Sequence, residues 1–230
     1  MPDAPKQLAL DLPLTPRYGR EDFLVSPSNE RAYALIERWP DWPDQILLLT
    51  GPQGSGKSHL AAIWAEVAHG WTVDTFEVTM ARVPHLISNG ALVIEDIHSG
   101  EADEPALFHL LNLARERQAH VVLTSALPVE QLPIRTPDLR SRVRLAPVAS
   151  LEPPDDALLK AVLVKLFVDR QLVVDTTVVD FLTLRIERSL AAAAAIVGEL
   201  DREALSRGRR ITRPMAAEIL GRAGGTEEGE

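Results

Sequence analysis

Gly51-Pro52-Gln53-Gly54-Ser55-Gly56-Lys57-Ser58 reads G-x-x-x-x-G-K-S, the spacing of a loop that closes around phosphate. Just before it lies Ile46-Leu47-Leu48-Leu49-Thr50, a short apolar run suited to a buried parallel strand. Just after it, His59 to His69 reads as a helix. Strand, glycine loop and helix in that order give these residues their chemistry. The glycines let backbone N–H groups approach phosphate oxygens, and the helix N-terminus adds its positive end. Lys57 is placed to reach the β- and γ-phosphates, and the Ser58 hydroxyl to ligate Mg²⁺. The competing reading is a glycine-rich turn before a core helix. The chain has only four lysines, and one of them standing at this position speaks against that reading.

Composition narrows the classes. At 230 residues the chain is long enough for one large domain, or one medium and one small. A hydrophobic content of 46% supports a substantial core. The net charge of −9 disfavours a general nucleic-acid binder, which needs a basic surface to neutralise phosphates, but it does not exclude a local patch. There is no cysteine, so disulfides and thiolate metal sites are excluded, and the expected setting is a reducing cytoplasm. The six histidines show no ligand spacing. No apolar run approaches the length of a membrane span, and the N-terminus lacks the basic-then-apolar order of a signal peptide, so no membrane partner is expected.

The chain is organised in four parts. Residues 1–22 are proline-rich, without sustained periodicity, and read as an extended tail with an apolar island from Leu8 to Leu14. Residues 23–150 alternate helix and strand. A helix capped by Ser28 runs to Trp39, and the strands are Ile46–Thr50, Thr72–Val78, Ala91–Glu95 and His120–Thr124, with Val143-Arg144-Leu145 as a short fifth. A helix from Leu107 to Arg117 separates the third strand from the fourth. This alternation predicts a parallel sheet covered on both faces. After the linker Glu152-Pro153-Pro154-Asp155-Asp156, residues 151–220 read as helices only, at about 156–169, 176–185, 189–206 and 212–220, with Asp175 and Thr212 as caps. Residues 221–230, glycine-rich and acidic, read as a disordered tail.

Further constellations cluster around the loop. The third strand ends in Glu95-Asp96, the Walker B placement of an acid that positions Mg²⁺ or orients a water. Aspartate usually comes first, and here Glu95 does. The fourth strand ends Thr124-Ser125-Ala126, where either hydroxyl is a candidate sensor of the γ-phosphate and Ala126 is not. In Asp138-Leu139-Arg140-Ser141-Arg142, Arg140 and Arg142 are either solvated surface charges or arginines presented to a neighbour's γ-phosphate. Arg188-Ser189-Leu190 opens a helix running through five alanines, and an arginine there can face the nucleotide or simply charge a first turn. Gln7-Leu8-Ala9-Leu10-Asp11-Leu12 is an apolar island in a polar tail, a pattern of partner binding or of packing on its own domain.

Together these residues resemble the AAA+ ATPase family, in its DnaA branch, over roughly residues 7–220. Phe23-Leu24-Val25-Ser26-Pro27-Ser28-Asn29 is similar to the segment that opens the DnaA nucleotide domain and lines the adenine site. The resemblance implies a three-layer P-loop AAA+ sandwich with a five-stranded parallel sheet, followed by a small helical lid. It implies Gly51 to Ser58 and His59 as nucleotide-binding, with Ser58 and Glu95 at Mg²⁺, Glu95 and Asp96 as Walker B, and Thr124 as sensor 1. It further implies Arg188 as sensor 2 and Arg142 as an arginine finger. The DnaA pattern departs at Glu95, where it carries aspartate, and at Ala126, where it carries an acid. DnaA initiators continue into a DNA-binding domain, and this sequence stops after the lid. Gln7, Leu8, Leu10 and Leu12 resemble a sliding-clamp motif without its terminal aromatic. That combination is similar to the Hda group of regulators, which act with the DNA-loaded clamp to stimulate hydrolysis of DnaA-bound ATP. The expectations are ADP or ATP with Mg²⁺, the clamp and DnaA as partners, possible self-association, no sequence-specific DNA contact, and a cytoplasmic, replisome-associated place. An autonomous AAA+ ATPase or helicase loader is the alternative expectation.

Overall fold

The computed structural model describes residues 19–224. They divide into two units, with the boundary along the chain between Pro153 and Pro154. The Gln7–Leu12 motif and the tail beyond 224 lie outside the described residues.

In the first unit, five parallel strands lie in the order β2-β3-β4-β1-β5. They are β1 (Ile46–Thr50), β2 (Trp71–Asp74), β3 (Ala91–Glu95), β4 (His120–Ser125) and β5 (Val148–Ser150). The sheet is the AAA+ arrangement expected from the sequence. Strand β1 sits between β4 and β5, with Leu49 beside Thr124 and Thr50 beside Ser125.

Side chains alternate across a strand, so each apolar run feeds both faces. Ile46 and Leu48 enter one core with Leu92, Ile94, Val121 and Leu123. Leu47 and Leu49 enter the other with Val93 and Val122. On the first face pack α3 (Val83–Leu86), α4 (Glu104–Glu116) and α5 (Pro137–Arg144), and on the second α1 (Glu30–Glu37) and α2 (Lys57–Val67). Burial on both faces explains why β1 carries four consecutive aliphatics, all fully buried.

Three expectations need correction. The first helix is capped at Asn29 rather than Ser28: the Asn29 side chain accepts from Ser26 N–H at 2.9 Å and donates to Leu24 carbonyl at 3.0 Å, which holds it in the turn. The second strand is shorter than Thr72–Val78. It ends at Asp74, whose side chain opens a capping box with Glu77 over a 3₁₀ turn, Thr75–Glu77. Val143-Arg144-Leu145 is not a strand. Pro137 starts a helix at a position that needs no N–H, and Leu139 and Val143, four apart, are both fully buried against the sheet. The alternating pattern of these three residues is the end of that helix, which leaves Leu145 65% exposed, and the fifth strand begins only at Val148.

The second unit holds α6 (Asp156–Asp169), α7 (Thr176–Thr183), α8 (Leu190–Arg207) and α9 (Arg213–Gly224). Asp155, Asp175 and Ser189 each accept a hydrogen bond from the first turn of the helix they cap, at 2.7, 2.8 and 3.3 Å. Such caps contribute about 1 kcal/mol each. The alanines of α8 allow close approach: Ala193 is fully buried against a core containing Leu159, Leu163, Phe167 and Leu182. Gly208, at φ 58°, ends α8 in a left-handed cap. Among the described residues, no helix is long and apolar enough to cross a membrane.

Candidate nucleotide site

The loop from Gly51 to Gly56 joins the end of β1 to the start of α2, at the carboxyl edge of the sheet where open α/β folds bind ligands. Gly51 N–H donates to Ser125 carbonyl at 3.2 Å, which ties the loop to β4. Only glycine fits here, because a Cβ at position 51 would stand 2.5 Å from Leu151 carbonyl oxygen and 2.8 Å from Ser55 Oγ. Gly56, at φ 102°, turns the chain into α2. Lys57 is buried at the first turn, and its Nζ donates to the carbonyls of Gly51 and Pro52 at 2.8 and 2.9 Å. Burial lowers its pKa from the usual lysine value, while Asp96 and Glu95 act in the opposite direction. The Ser55 hydroxyl is buried inside the loop with no hydrogen-bond partner. A buried ammonium and an unpartnered hydroxyl in one glycine loop fit an anionic ligand such as a phosphate chain.

Glu95 ends β3 and organises the next layer. Its Oε2 accepts from Ser58 Oγ at 3.2 Å and from Thr124 Oγ1. Burial pushes the Glu95 carboxyl above the usual carboxylate value, and the hydroxyls of Thr124 and Ser58 pull back. Thr124 is fully buried, and its Oγ1 also accepts from Asp96 N–H at 2.9 Å. Asp96 sits in the left-handed region at φ 56°, with its side chain 62% exposed. One buried hydroxyl thus links the ends of β3 and β4. Of the two hydroxyls at the end of β4, Thr124 meets Glu95, whereas Ser125 donates to Leu127 carbonyl at 2.7 Å and closes its own turn. The oxygen donors Ser58 and Glu95 suit a hard cation such as Mg²⁺, which when bound would neutralise phosphate charge.

The remaining candidates fall in different settings. His59 reaches back to Gly19 carbonyl at 3.0 Å and meets the edge of Phe23, which stacks on Tyr33 at 5.5 Å. These contacts fasten the segment before α1 to the first turn of α2. Arg142 is half-buried on α5 and makes no hydrogen bond or ion pair with the described residues. Arg140, two residues earlier on the same helix, instead donates to Ile134 carbonyl. In the second unit Arg188, just before α8, pairs with Asp156 at 2.8 Å, both exposed. His98 was not singled out in the sequence. Its Nδ1 accepts from Ala126 N–H at 3.2 Å, which joins the loop after β3 to the residue that follows β4. Only its position two residues past Glu95-Asp96 hinted at this.

With this geometry in place, known proteins give a consistent picture. The family profile described as "Hda, lid domain" matches residues 156–220, which are the four helices of the second unit. Residues 156–220 are thus similar to an Hda lid, and most of the chain is similar to DnaA proteins. DnaA of Thermomicrobium roseum is 26% identical over 246 aligned positions, covering 94% of this chain and 53% of the relative. DnaA of Caulobacter vibrioides is 28% identical over 167 positions, covering 62% of this chain and 34% of the relative. The chain therefore spans about a third to a half of the length of these relatives. Domain III of Thermotoga maritima DnaA superimposes with a TM-score of 0.74 at 22% identity, covering 91% of this chain and 97% of that one. The AMPPCP-bound DnaA of Aquifex aeolicus gives 0.69 at 19% identity, covering 84% and 67%. At these identities the structures establish the fold.

Proposed function

We propose that this protein regulates the initiation of chromosome replication: it binds the sliding clamp through Gln7, Leu8, Leu10 and Leu12 and promotes hydrolysis of ATP held by DnaA. The observation that carries this reading is the match of residues 156–220 to the Hda lid. ADP or ATP with Mg²⁺ would occupy the Gly51–Ser58 loop, with Lys57 and Ser58 exchanging their internal contacts for phosphate oxygens and the cation, Glu95 and Thr124 behind them, and Arg188 as the lid's sensing arginine. Arg142 would act on the partner's nucleotide. It is half-buried and has no counter-charge among the described residues, so its guanidinium is already desolvated in part and pre-positioned at the end of a short helix. Leu145 follows it by three residues on the same helical face and is largely exposed, an apolar anchor beside the charge. A guanidinium delivered to a γ-phosphate stabilises the charge that develops there and is worth about 10³–10⁵ in rate.

The test is ATP hydrolysis by DnaA on clamp-loaded DNA, with and without this protein. Stimulation is expected from the wild type. Arg142→Ala should keep its fold, clamp binding and nucleotide binding while losing at least about a hundredfold of the stimulation. Full stimulation by Arg142→Ala would remove the finger assignment, and no stimulation by the wild type would remove the reading. The joined Ser58, Glu95 and Thr124 favour one second reading, an ATPase that turns over by itself. It predicts hydrolysis by the isolated chain that is lost in Glu95→Gln.

A further inference from the structure

The second unit gathers arginines that its own carboxylates do not neutralise. From Ala204 to Ala217 the chain has four arginines, Arg207, Arg209, Arg210 and Arg213, and no acid. Arg207 is paired with Glu203 and with Glu218 at 2.9 Å. Arg209, Arg210 and Arg213 are exposed and make no ion pair among the described residues. Arg185, at the end of α7, joins them. Its guanidinium carbon lies 4.1 Å from the centroid of the Phe181 ring, and that of Arg213 lies 5.1 Å from the same ring. One aromatic side chain therefore holds two like charges together, with Arg209 and Arg210 in the short loop leading to Arg213.

Two features make this arrangement costly for the isolated chain. Like charges gathered without a counter-ion repel. Arg213 also stands in the first turn of α9, which contains no acid, where the helix macrodipole disfavours a cation by about 0.3–1 kcal/mol. An external polyanion would reverse both terms. The groups are all guanidiniums, whose planar forks pair bidentately with phosphate; the Phe181 ring holds two of them, Arg185 also donating to Phe181 carbonyl at 3.3 Å, and both side chains stay exposed.

We propose that Arg185, Arg209, Arg210 and Arg213, organised by Phe181, form a docking surface for the phosphate backbone of duplex DNA, without sequence preference. The choice of DNA over an acidic protein rests on the replication reading above, in which the protein works beside clamp-loaded duplex. The surface neutralises about four phosphates. The logarithm of affinity should then fall with the logarithm of salt with a slope near −3.6, and affinity should lie in the weak range of non-specific binding, about 10⁻⁴–10⁻⁶ M.

The test is fluorescence anisotropy of a labelled duplex of arbitrary sequence, titrated with the full chain alone, without clamp or DnaA. The triple variant Arg209→Ala/Arg210→Ala/Arg213→Ala should lose at least tenfold in affinity at low salt and bring the slope toward −1, with an unchanged circular dichroism spectrum and a urea midpoint no lower than that of the wild type, because the side chains are exposed and their removal relieves the repulsion. Phe181→Leu should lose part of the affinity while all four charges remain. Arg142→Ala should bind as the wild type does, which separates this surface from the finger. Absence of salt-dependent binding, or a triple variant that binds like the wild type, would overturn the proposal. Polyglutamate competing as well as unlabelled duplex would overturn the choice of DNA. None of these outcomes bears on whether DnaA hydrolysis is stimulated.

Discussion

Thr124→Val tests the hydroxyl that joins the ends of β3 and β4. Valine keeps the shape and removes one donor and one acceptor. The Glu95 carboxylate loses a charge-assisted hydrogen bond, worth about 1.5–3 kcal/mol, and Asp96 N–H loses its acceptor, which costs about 1–3 kcal/mol when the group is buried. The added methyl returns about 0.8 kcal/mol. Thr124 is fully buried, so solvent does not take its place beside Glu95, and the expected net loss is about 2–3 kcal/mol. Urea unfolding followed by tryptophan fluorescence is the suitable assay, since Trp39, Trp42, Trp64 and Trp71 all lie in the α/β unit and the signal reports that unit. Thr124→Ser keeps the hydroxyl and should lose only about 1 kcal/mol. On a Glu95→Gln background, where the acceptor is neutral, the cost of Thr124→Val should shrink to about 1–2 kcal/mol. A Thr124→Val midpoint within about 0.5 kcal/mol of wild type, or the same loss on both backgrounds, would refute the reasoning.

Two other perturbations probe the same unit. Gly51→Ala places a Cβ 2.5 Å from Leu151 carbonyl oxygen, backbone that cannot swing aside; it should destabilise by about 1–3 kcal/mol and abolish the rise in melting temperature on adding ADP and Mg²⁺, whereas a normal thermal shift would show that the loop tolerates a side chain. His120 packs edgewise on Trp39 and Trp42, with ring centroids 5.8 and 5.7 Å away, and burial lowers its pKa from 6.5, opposed by a hydrogen bond with Pro40 backbone. The unfolded chain therefore takes up this proton at higher pH than the folded one. The neutral ring's contribution is complete above about 6.5 and is lost as pH falls through the folded value. Glu95, whose carboxyl is raised, contributes with the opposite sign, so the measurement is the difference between wild type and His120→Gln. The wild type should lose more stability than the variant between pH 7.5 and 5.5, and parallel profiles would contradict this account.

How much of this was legible in the sequence varied from one element to another, for physical reasons. Ile46–Thr50, Ala91–Glu95 and the start of β4 were readable because central parallel strands are buried on both faces and need unbroken apolar runs. Asp155 and Asp175 announced their helices because a cap acts within three residues of itself. Val143-Arg144-Leu145 misled because three residues cannot distinguish a period of two from the tail of a helix whose other buried member, Leu139, lies four residues back. Asn29 displaced Ser28 as cap through a hydrogen bond to Leu24 that local preference does not reveal. At the site, the eight loop residues and the acid pair were visible as spacings. The convergence of Ser58 and Thr124 on one Glu95 oxygen, and the bond from Ala126 to His98, follow from strand register and were not visible.

Charge shows the same limit from the other side. A net charge of −9 argued against a nucleic-acid binder, and as an average over the whole surface the argument holds. Screening confines each exposed charge to about 8–10 Å at physiological salt, so a phosphate meets only the groups beside it. Those groups are chosen by tertiary contacts. Phe181 belongs to α7, Arg185 follows two residues after its end, and Arg213 opens α9, so the meeting of Arg213 with the other two depends on packing that no run of sequence displays. Arg207 stands among the same residues but is spent on Glu203 and Glu218. What distinguishes Arg185, Arg209, Arg210 and Arg213 is therefore their nearness in the fold together with the absence of a counter-charge among the described residues, and an acidic protein can carry such a surface without contradiction.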